Sequence, residues 1–263
     1  MNEQLPDSSP LPKGKQVALF VTCLADLFRP SVAFASIKLL QQAGCEVTVP
    51  MLQTCCGQPA YNSGDYAATV PLAQQVIALL ESADYVVVPS GSCAGMISHH
   101  YPRLLTGTWR DRALQLAAKT FELTVFLQEI AHIKPQADQP SGLATVAYHD
   151  GCAGLRELGI KEQPRQLLRE LCGIEVCELQ QGEVCCGFGG TFCAKMPEIS
   201  GKMVDDKLEH ALATGAKILV GGDLGCLLNI AGRAQRLGEL IEVRHIAELL
   251  SGDLDAPAIG QGY

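Results

Sequence analysis

The sequence predicts an α/β protein built from two tandem, pseudo-symmetric three-layer units, each with a parallel sheet between layers of helices. Two observations predict this fold. The chain repeats its cysteine landmarks at offsets of 129 to 133 residues, and each copy alternates short apolar segments with longer amphipathic ones. Short apolar runs are typical of buried parallel strands, and amphipathic stretches are typical of the helices that cover them. The chain is therefore predicted to be an internal duplication of one α/β unit.

The repeat rests on three cysteine landmarks that occur in the same order in both copies. A cysteine follows the first apolar segment, a Cys-Cys-Gly triplet follows later, and another cysteine comes after the third apolar segment. Three landmarks at nearly constant offset indicate duplication. The corresponding pairs are Cys23 with Cys152, Cys55 with Cys185, and Cys93 with Cys226.

The landmarks divide the chain into five segments. The first repeat is predicted over 16–133 and the second over 144–251. Between them, residues 134–143 are rich in proline, glycine and polar residues, which is typical of a linker. Residues 1–15 have no apolar core of a secretory signal and are predicted to be a flexible tail. Residues 252–263 are predicted to be a C-terminal tail.

Short apolar runs bounded by polar residues, glycine or proline predict strands, and the longer amphipathic stretches between them predict helices. In the first repeat this pattern predicts strands near 16–22, 46–49 and 84–89, with helices near 31–43 and 67–82. In the second repeat it predicts strands near 144–149, 174–177 and 217–220, with helices near 163–172 and 198–214.

Composition excludes several classes of protein. A formal charge of −8 and an aromatic content of 5% argue against a nucleic-acid-binding protein. No stretch approaches the roughly 18 apolar residues of a membrane span, so we expect a cytoplasmic protein without a membrane span. Disulfides rarely persist in the cytoplasm. The twelve cysteines therefore need another role, and metal binding is the leading one.

The predicted topology places eight of these cysteines in segments that follow strands. The single cysteines lie just after predicted strands, and the Cys-Cys pairs lie in loops after the middle strands. Open parallel sheets bind ligands at the carboxyl edge of their strands. We therefore predict two metal-ligand sets: a first cysteine set of Cys23, Cys55, Cys56 and Cys93, and a second cysteine set of Cys152, Cys185, Cys186 and Cys226.

Four thiolates suit either a tetrahedral zinc ion or a four-iron cluster. Neither repeat has the short Cys-x2-4-Cys knuckles of structural zinc sites or the close cysteine run of ferredoxins. The spacings are instead C-x31-CC-x36-C and C-x32-CC-x39-C, which favour a larger inorganic core touched by several loops. Gly57 and Gly187 follow the pairs, and their backbone N–H groups are candidate donors to sulfur.

Four strings around the cysteines resemble a known protein family. The strings "CCGQPAYNSGD", "PSGSCAGM", "CCGFGGTFCAKMPEISGKMV" and "GCLLNIAGR" are similar to the cysteine-rich (CCG) domain family. That family includes the cysteine-rich subunit of heterodisulfide reductase, the cluster subunits of glycolate oxidase and anaerobic glycerol-3-phosphate dehydrogenase, and the lactate-utilisation protein A group. The chain resembles the last group most, over nearly all of 16–250.

The resemblance implies an iron–sulfur electron-transfer subunit in a multi-subunit system that oxidises L-lactate to pyruvate. It implies iron–sulfur clusters of the [4Fe-4S] type, one or two per chain, and a separate ferredoxin-like subunit as electron partner beside the other lactate-utilisation subunits. The fuller family motif ends in Cys-x-x-Cys, but here Met96 and Asn229 occupy the last position. This departure favours four-ligand clusters and leaves zinc as an alternative in one half.

Several other residues have two interpretations. His149 lies just before Cys152, where it could ligate a metal, donate to a cluster sulfur, move a proton, or simply be a polar turn residue. Cys193 could be an extra ligand or a redox thiol, although a partly buried spectator is the favoured interpretation. Packing is favoured for Cys45 and Cys172, at the amino edge of the sheets, and Cys177 lies nearer the carboxyl edge.

Two alternative functions remain at the level of sequence. Zinc in one or both halves could stabilise the fold for subunit assembly without a redox role. The Cys-Cys pairs could also act as a dithiol in thiol–disulfide exchange, although neither has the usual Cys-x-x-Cys form. The string "GFGGTF" lacks the strand–GxGxxG–helix order of a dinucleotide site, and no catalytic residues for lactate oxidation are identified.

Overall fold

The computed structural model describes residues 14–135 and 145–261. Most of the predicted N-terminal tail, most of the predicted linker and residues 262–263 lie outside this part of the chain. The described residues form two four-stranded parallel sheets with helices, one in each half of the chain. The predicted fold class, an α/β duplication with parallel sheets, is thereby confirmed.

The two sheets have the same strand order. The first sheet is ordered β2-β1-β3-β4 and the second β6-β5-β7-β8, with every pairing parallel. In each half the first strand of the chain therefore lies in the interior of its sheet. The strands of the first half are β1 (Gln16–Leu19), β2 (Glu46–Thr48), β3 (Tyr85–Val88) and β4 (Thr120–Glu122), and those of the second half are β5 (Thr145–His149), β6 (Glu175–Glu178), β7 (Ile218–Gly221) and β8 (Glu242–His245).

The fourth strand of each sheet is absent from the sequence prediction, which gives three strands per repeat. β4 has three residues and β8 has four, and both include charged side chains, so neither presents an apolar run. Each is held instead by backbone pairing to the preceding strand, as in the register Val87 with Phe121 and Leu219 with Val243. Tertiary context rather than local pattern makes these segments strands.

Helices connect the strands and cover the sheets. The first half contains α1 (Cys23–Phe28), α2 (Pro30–Gln42), α3 (Gln58–Asn62), α4 (Tyr66–Leu80), α5 (Gly91–Gly95), α6 (Tyr101–Leu104), α7 (Gly107–Ala117) and α8 (Leu123–Val125), with π-helical turns at Met96–His100 and Phe126–Ile130. The second half contains α9 (Cys152–Glu157), α10 (Glu162–Cys172), α11 (Phe192–Lys195), α12 (Pro197–Ala213), α13 (Leu224–Leu237) and α14 (Ile246–Ser251). None of the helices in the described residues is long and apolar enough to span a membrane.

The interior strands β1, β3, β5 and β7 are buried on both faces, which explains their continuous apolar sequence. In β1, Val17 and Leu19 contribute to a core that continues into the second half, whereas Ala18 lies in a separate core with the adjoining residue Phe20. Successive residues of a strand point to opposite faces, so one short run supplies both layers. With both faces covered, the edge at the carboxyl ends of the strands is where the loops with cysteines can form a site.

The end of the chain packs against the second sheet. Ala258 and Ile259, within the predicted C-terminal tail, are buried, and the Ile259 N–H donates to the Val243 carbonyl at 2.9 Å. The Pro257 carbonyl accepts a hydrogen bond from Arg29 of the first half. Residues 257–259 therefore contribute to the contact between the halves.

Candidate metal centre

The first cysteine set assembles at the carboxyl end of the first sheet. Cys23 is the first residue of α1, Cys93 lies in α5, and Cys55 and Cys56 occupy the loop between β2 and α3. Thr22 precedes Cys23 with a φ of 73°, an unusual conformation for a β-branched residue. Its hydroxyl accepts a hydrogen bond from the Ala25 N–H at 3.5 Å and caps α1.

Hydrogen bonds connect the four thiols of this set. Cys56 donates to Cys93, with 3.3 Å between the sulfurs. Hydrogen bonds from Cys23 and Cys56 lower the pKa of Cys55 to about 3. The same contact with Cys55, followed by burial, raises the pKa of Cys23. One thiolate is therefore stabilised by its neighbours, while the thiols that donate to it are held protonated.

The second cysteine set repeats this arrangement at the second sheet. Cys152 begins α9, Cys226 lies in α13, and the Cys-Cys pair occupies the loop between β6 and α11. Hydrogen bonds from Cys152 and Cys186 lower the pKa of Cys185 to about 2. Hydrogen bonds with Cys185 and Cys226 raise the pKa of Cys186. The structure thus brings together all four predicted cysteines in each half.

This donor set fits a soft metal or a metal–sulfur cluster. If all four thiols of a set were deprotonated, the thiolates would repel one another, and their buried or half-buried positions provide little water to screen that repulsion. A bound cation supplies the opposite charge and deprotonates its thiol ligands. Sulfur ligands select zinc, copper(I) or iron–sulfur clusters over hard cations such as Mg²⁺. The residues therefore fit the iron–sulfur cluster or zinc that the sequence predicts.

The glycine after each Cys-Cys pair aims its backbone at sulfur. The Gly57 N–H contacts the Cys55 sulfur at 3.4 Å, and the Gly187 N–H contacts the Cys185 sulfur at the same distance. Both glycines have a positive φ, 85° and 83°. A Cβ at Gly187 would lie 2.8 Å from the Ser200 carbonyl oxygen. These positions require glycine because both the backbone conformation and the packing disfavour a side chain.

The carbonyl group of the second cysteine in each Cys-Cys pair is also held in place. The Tyr101 hydroxyl donates to the Cys56 carbonyl at 2.7 Å, and the Asn229 amide donates to the Cys186 carbonyl at 3.0 Å. Asn229 occupies the position where the fuller family motif has a further cysteine. Its side chain orients the Cys-Cys loop through the backbone.

The first cysteine set, together with Cys152 and Cys226 of the second, lines one shared cavity of about 380 Å³ between the halves. The contact between α5 and α9 brings them together, because a Cβ at Gly91 would lie 2.8 Å from the Gly154 Cα. Two glycines therefore allow the backbones of these helices to touch. Six cysteines line the cavity: Cys23, Cys55, Cys56, Cys93, Cys152 and Cys226.

A buried carboxylate fastens this junction. Asp223, at the start of α13, accepts hydrogen bonds from the Ser90 hydroxyl at 2.7 Å and the Ser92 hydroxyl at 2.8 Å. The Ser92 N–H donates to the same oxygen at 3.1 Å. A second-half side chain thus holds the N-terminal turn of α5, which carries Cys93. Asp223, Ser90 and Ser92 are not among the site residues predicted from the sequence.

A second buried acid next to this junction makes folding stability depend on pH. Burial raises the pKa of Glu122 from 4.5 to about 7, and the charge of Asp223 adds to the shift. One Glu122 oxygen accepts hydrogen bonds from the Thr124 N–H and hydroxyl, at 2.7 and 2.5 Å. The folded chain therefore binds this proton more tightly than the unfolded chain does.

We expect Glu122→Gln to remove part of the pH dependence of unfolding. The protonated Glu122 contributes stability below pH 4.5, and this contribution disappears as pH rises through about 7. Between these limits the original chain should lose on the order of 3 kcal/mol relative to the variant. Urea unfolding of both proteins at pH 5 and pH 8 measures the difference. An equal pH dependence in the two proteins would contradict the assignment.

The remaining cysteines lie elsewhere. Cys45 and Cys172 are buried immediately before β2 and near the start of β6, and burial raises the pKa of each thiol. Cys177 lies within β6. The Cys193 thiol donates to the Gly190 carbonyl at 3.5 Å. The Cys172 sulfur similarly contacts the Leu249 carbonyl at 3.6 Å.

His149 is the last residue of β5 and is only 1% exposed. One of its ring nitrogens lies in a group with the sulfurs of Cys186 and Cys226 in which all three atoms are within 4.8 Å of one another. Burial, together with the charge of Lys207, lowers the pKa of His149 to about 3, so its ring is neutral. Lys207 is also buried, and its amine donates to the carbonyls of Gln181 and Gly182. Lys207 is not among the site residues predicted from the sequence.

Comparisons with known proteins agree with this architecture. A family model described as a cysteine-rich domain matches the chain twice, at residues 17–98 and 146–231. Lactate utilization protein A of Geobacillus thermodenitrificans is 48% identical over 238 residues, which cover 90% of this chain and 98% of that protein. Lactate utilization protein A of Halalkalibacterium halodurans is 47% identical over 238 residues, with coverage of 90% and 96%. The resemblance identified from the sequence is confirmed, and the chain belongs to the lactate utilization protein A family, with one cysteine-rich domain in each half.

Proposed function

We propose that this chain is an iron–sulfur electron-transfer subunit of a system that oxidises L-lactate to pyruvate. The observation that carries the proposal is the convergence of four thiols in each half, with six of the eight cysteines lining one shared cavity. The names of the relatives support the lactate part. We assign electron transfer rather than substrate oxidation, because clusters held by thiolates carry single electrons.

In this proposal the eight cysteines are the cluster ligands. The simplest cofactor content is one [4Fe-4S] cluster in each half. A bound cluster supplies one-electron transfer. The Gly57 and Gly187 N–H groups donate to ligand sulfurs and so stabilise their negative charge. Tyr101 and Asn229 fix the two Cys-Cys loops. These contacts orient the thiols before a cluster binds.

The stoichiometry of the reaction matches the duplication. Oxidation of L-lactate to pyruvate releases two electrons and two protons. Two cysteine sets provide two redox centres that each carry one electron. The contact between the backbones of α5 and α9 keeps the two sets adjacent. We propose that a ferredoxin-like subunit and the other lactate-utilisation subunits exchange these electrons with the chain in the cytoplasm.

Zinc in the second half is a second candidate, favoured by one observation. His149, Cys186 and Cys226 form a group of two sulfurs and one nitrogen, which is a ligand combination typical of zinc. In that case the second half would hold the chain in shape for subunit assembly. The second half would then have no redox centre.

Metal analysis of the anaerobically purified full chain tests the proposal. We expect brown protein with about four iron and four acid-labile sulfide for each occupied half, whose visible absorption bleaches on reduction with dithionite. In the complete lactate-oxidising assembly, L-lactate should bleach the same absorption. Colourless protein with stoichiometric zinc, or no metal after reconstitution with iron and sulfide, would overturn the iron–sulfur assignment. Bleaching by dithionite but not by L-lactate would overturn the lactate assignment alone.

A further inference from the structure

His149 has a buried imidazole beside the second cysteine set. Neither ring nitrogen has a partner within the described parts of the chain, although the side chain is almost fully enclosed. Buried polar groups are nearly always paired, since an unpaired donor or acceptor costs free energy. A ring in this position therefore needs a partner beyond the described protein atoms, such as a water molecule or a metal ion.

Two cysteine sulfurs lie close to this ring. One His149 nitrogen and the sulfurs of Cys186 and Cys226 lie within 4.8 Å of one another. Metal–nitrogen and metal–sulfur bonds of roughly 2.0 and 2.3 Å allow one metal ion to join ligand atoms about 4 Å apart. A small movement of the side chains therefore brings all three atoms within reach of one metal.

The first half has no imidazole at the position equivalent to His149. Phe20 precedes Cys23 by three residues, as His149 precedes Cys152 by three. Phe20 is completely buried in the apolar core of the first half. The same place in the duplicated fold thus accepts a hydrocarbon ring, so the imidazole of His149 is not needed to fill space. Its distinguishing feature is a nitrogen lone pair beside the second cysteine set.

We propose that His149 binds the metal of the second half through a ring nitrogen, beside Cys186 and Cys226, whereas the first half holds its metal by sulfur alone. The inference rests on the proposed function in one respect, namely that the second cysteine set holds a metal. It makes the two centres of the duplicated chain chemically different. One centre then carries a nitrogen ligand and the other does not.

Pulsed electron paramagnetic resonance on the full chain tests this ligand directly. The chain is produced with ¹⁵N-labelled histidine, purified anaerobically and reduced with dithionite. We expect a strong ¹⁵N coupling from one histidine in the original protein. The coupling should disappear in His149→Phe, which copies the ring of the first half. It should persist in the control His100→Phe, because the His100 ring contacts the Glu157 carboxylate and no predicted ligand. Because a strong hyperfine coupling requires bonding to the metal, a merely structural histidine would not produce it.

The outcomes separate this inference from the proposed function. Reducible iron–sulfur protein without ¹⁵N coupling, or with a coupling that survives in His149→Phe, would overturn the ligand assignment and leave electron transfer standing. If the second half contains zinc, electron transfer there fails, and cobalt substitution decides the ligand. The Co²⁺ absorption should then change in His149→Phe but not in His100→Phe, and an unchanged spectrum would overturn the inference. Absence of any bound metal would overturn both.

Discussion

Cys186→Ser is expected to abolish the second metal centre while leaving the first intact. Cys186 is 1% exposed and lies at hydrogen-bonding distance from two other thiols of its set, Cys185 and Cys226. Serine retains the shape of cysteine, but its hydroxyl is a poor ligand for the soft metals that thiolates bind. We expect about half of the iron and sulfide to be lost, with the corresponding part of the visible absorption. Iron and sulfide analysis per chain measures the loss.

Cys45→Ser is the matched control for this experiment. Cys45 is also buried, at 7% exposure, but it lies at the amino edge of the first sheet. The iron content of the Cys45→Ser variant should equal that of the original chain. Unchanged iron in Cys186→Ser would contradict the ligand assignment, and lost iron in Cys45→Ser would show that the proposed ligand edge is wrong. Circular dichroism of both variants establishes that each remains folded.

The repeat, the fold class and the convergence within each cysteine set could be predicted from sequence because they follow from local patterns. Cys23 and Cys152 each come just after a strand in the interior of its sheet, so parallel topology places them at a carboxyl edge. The short fourth strands could not be predicted because they have no apolar run. Their pairing is imposed by neighbouring strands.

The shared cavity could not be predicted because a repeat does not specify how its copies face each other. That orientation depends on contacts between residues that are distant in sequence, such as Gly91 with Gly154 and Ser90 with Asp223. A usable signal for His149 was present, however. Aligning the repeats sets this histidine against Phe20, and a departure from symmetry beside a ligand set indicates a specific role.

Of the single substitutions considered, Glu248→Ala is expected to cause the largest loss of folding stability, because it breaks a buried ion pair between the halves. Glu248 in α14 is completely buried, and one of its oxygens accepts from the Arg29 guanidinium at 2.7 Å and the Ser31 hydroxyl at 2.6 Å. Its other oxygen accepts from the His245 N–H at 3.1 Å. Removing Glu248 leaves the charge of Arg29 buried without its carboxylate.

Loss of one partner from a buried ion pair typically costs about 3–5 kcal/mol, because the remaining charge is uncompensated. Chemical denaturation of the full chain should show a loss of this size in Glu248→Ala. The exposed pair of Arg112 with Glu81 provides the control, and Glu81→Ala should cost less than about 1 kcal/mol since solvent screens that pair. Equal losses in the two variants would contradict the role assigned to Glu248.

The double variant Arg29→Met with Glu248→Met distinguishes the uncompensated charge from lost packing. Replacing both members of a buried pair by apolar residues removes the desolvation cost of both charges, and in other proteins it is often nearly neutral. We therefore expect the double variant to be more stable than Glu248→Ala. If it is as unstable as the single variant, packing at the contact between α2 and α14 dominates. Because this contact joins helices of opposite halves, iron content measured on the same variants also reports whether weakening it releases either centre.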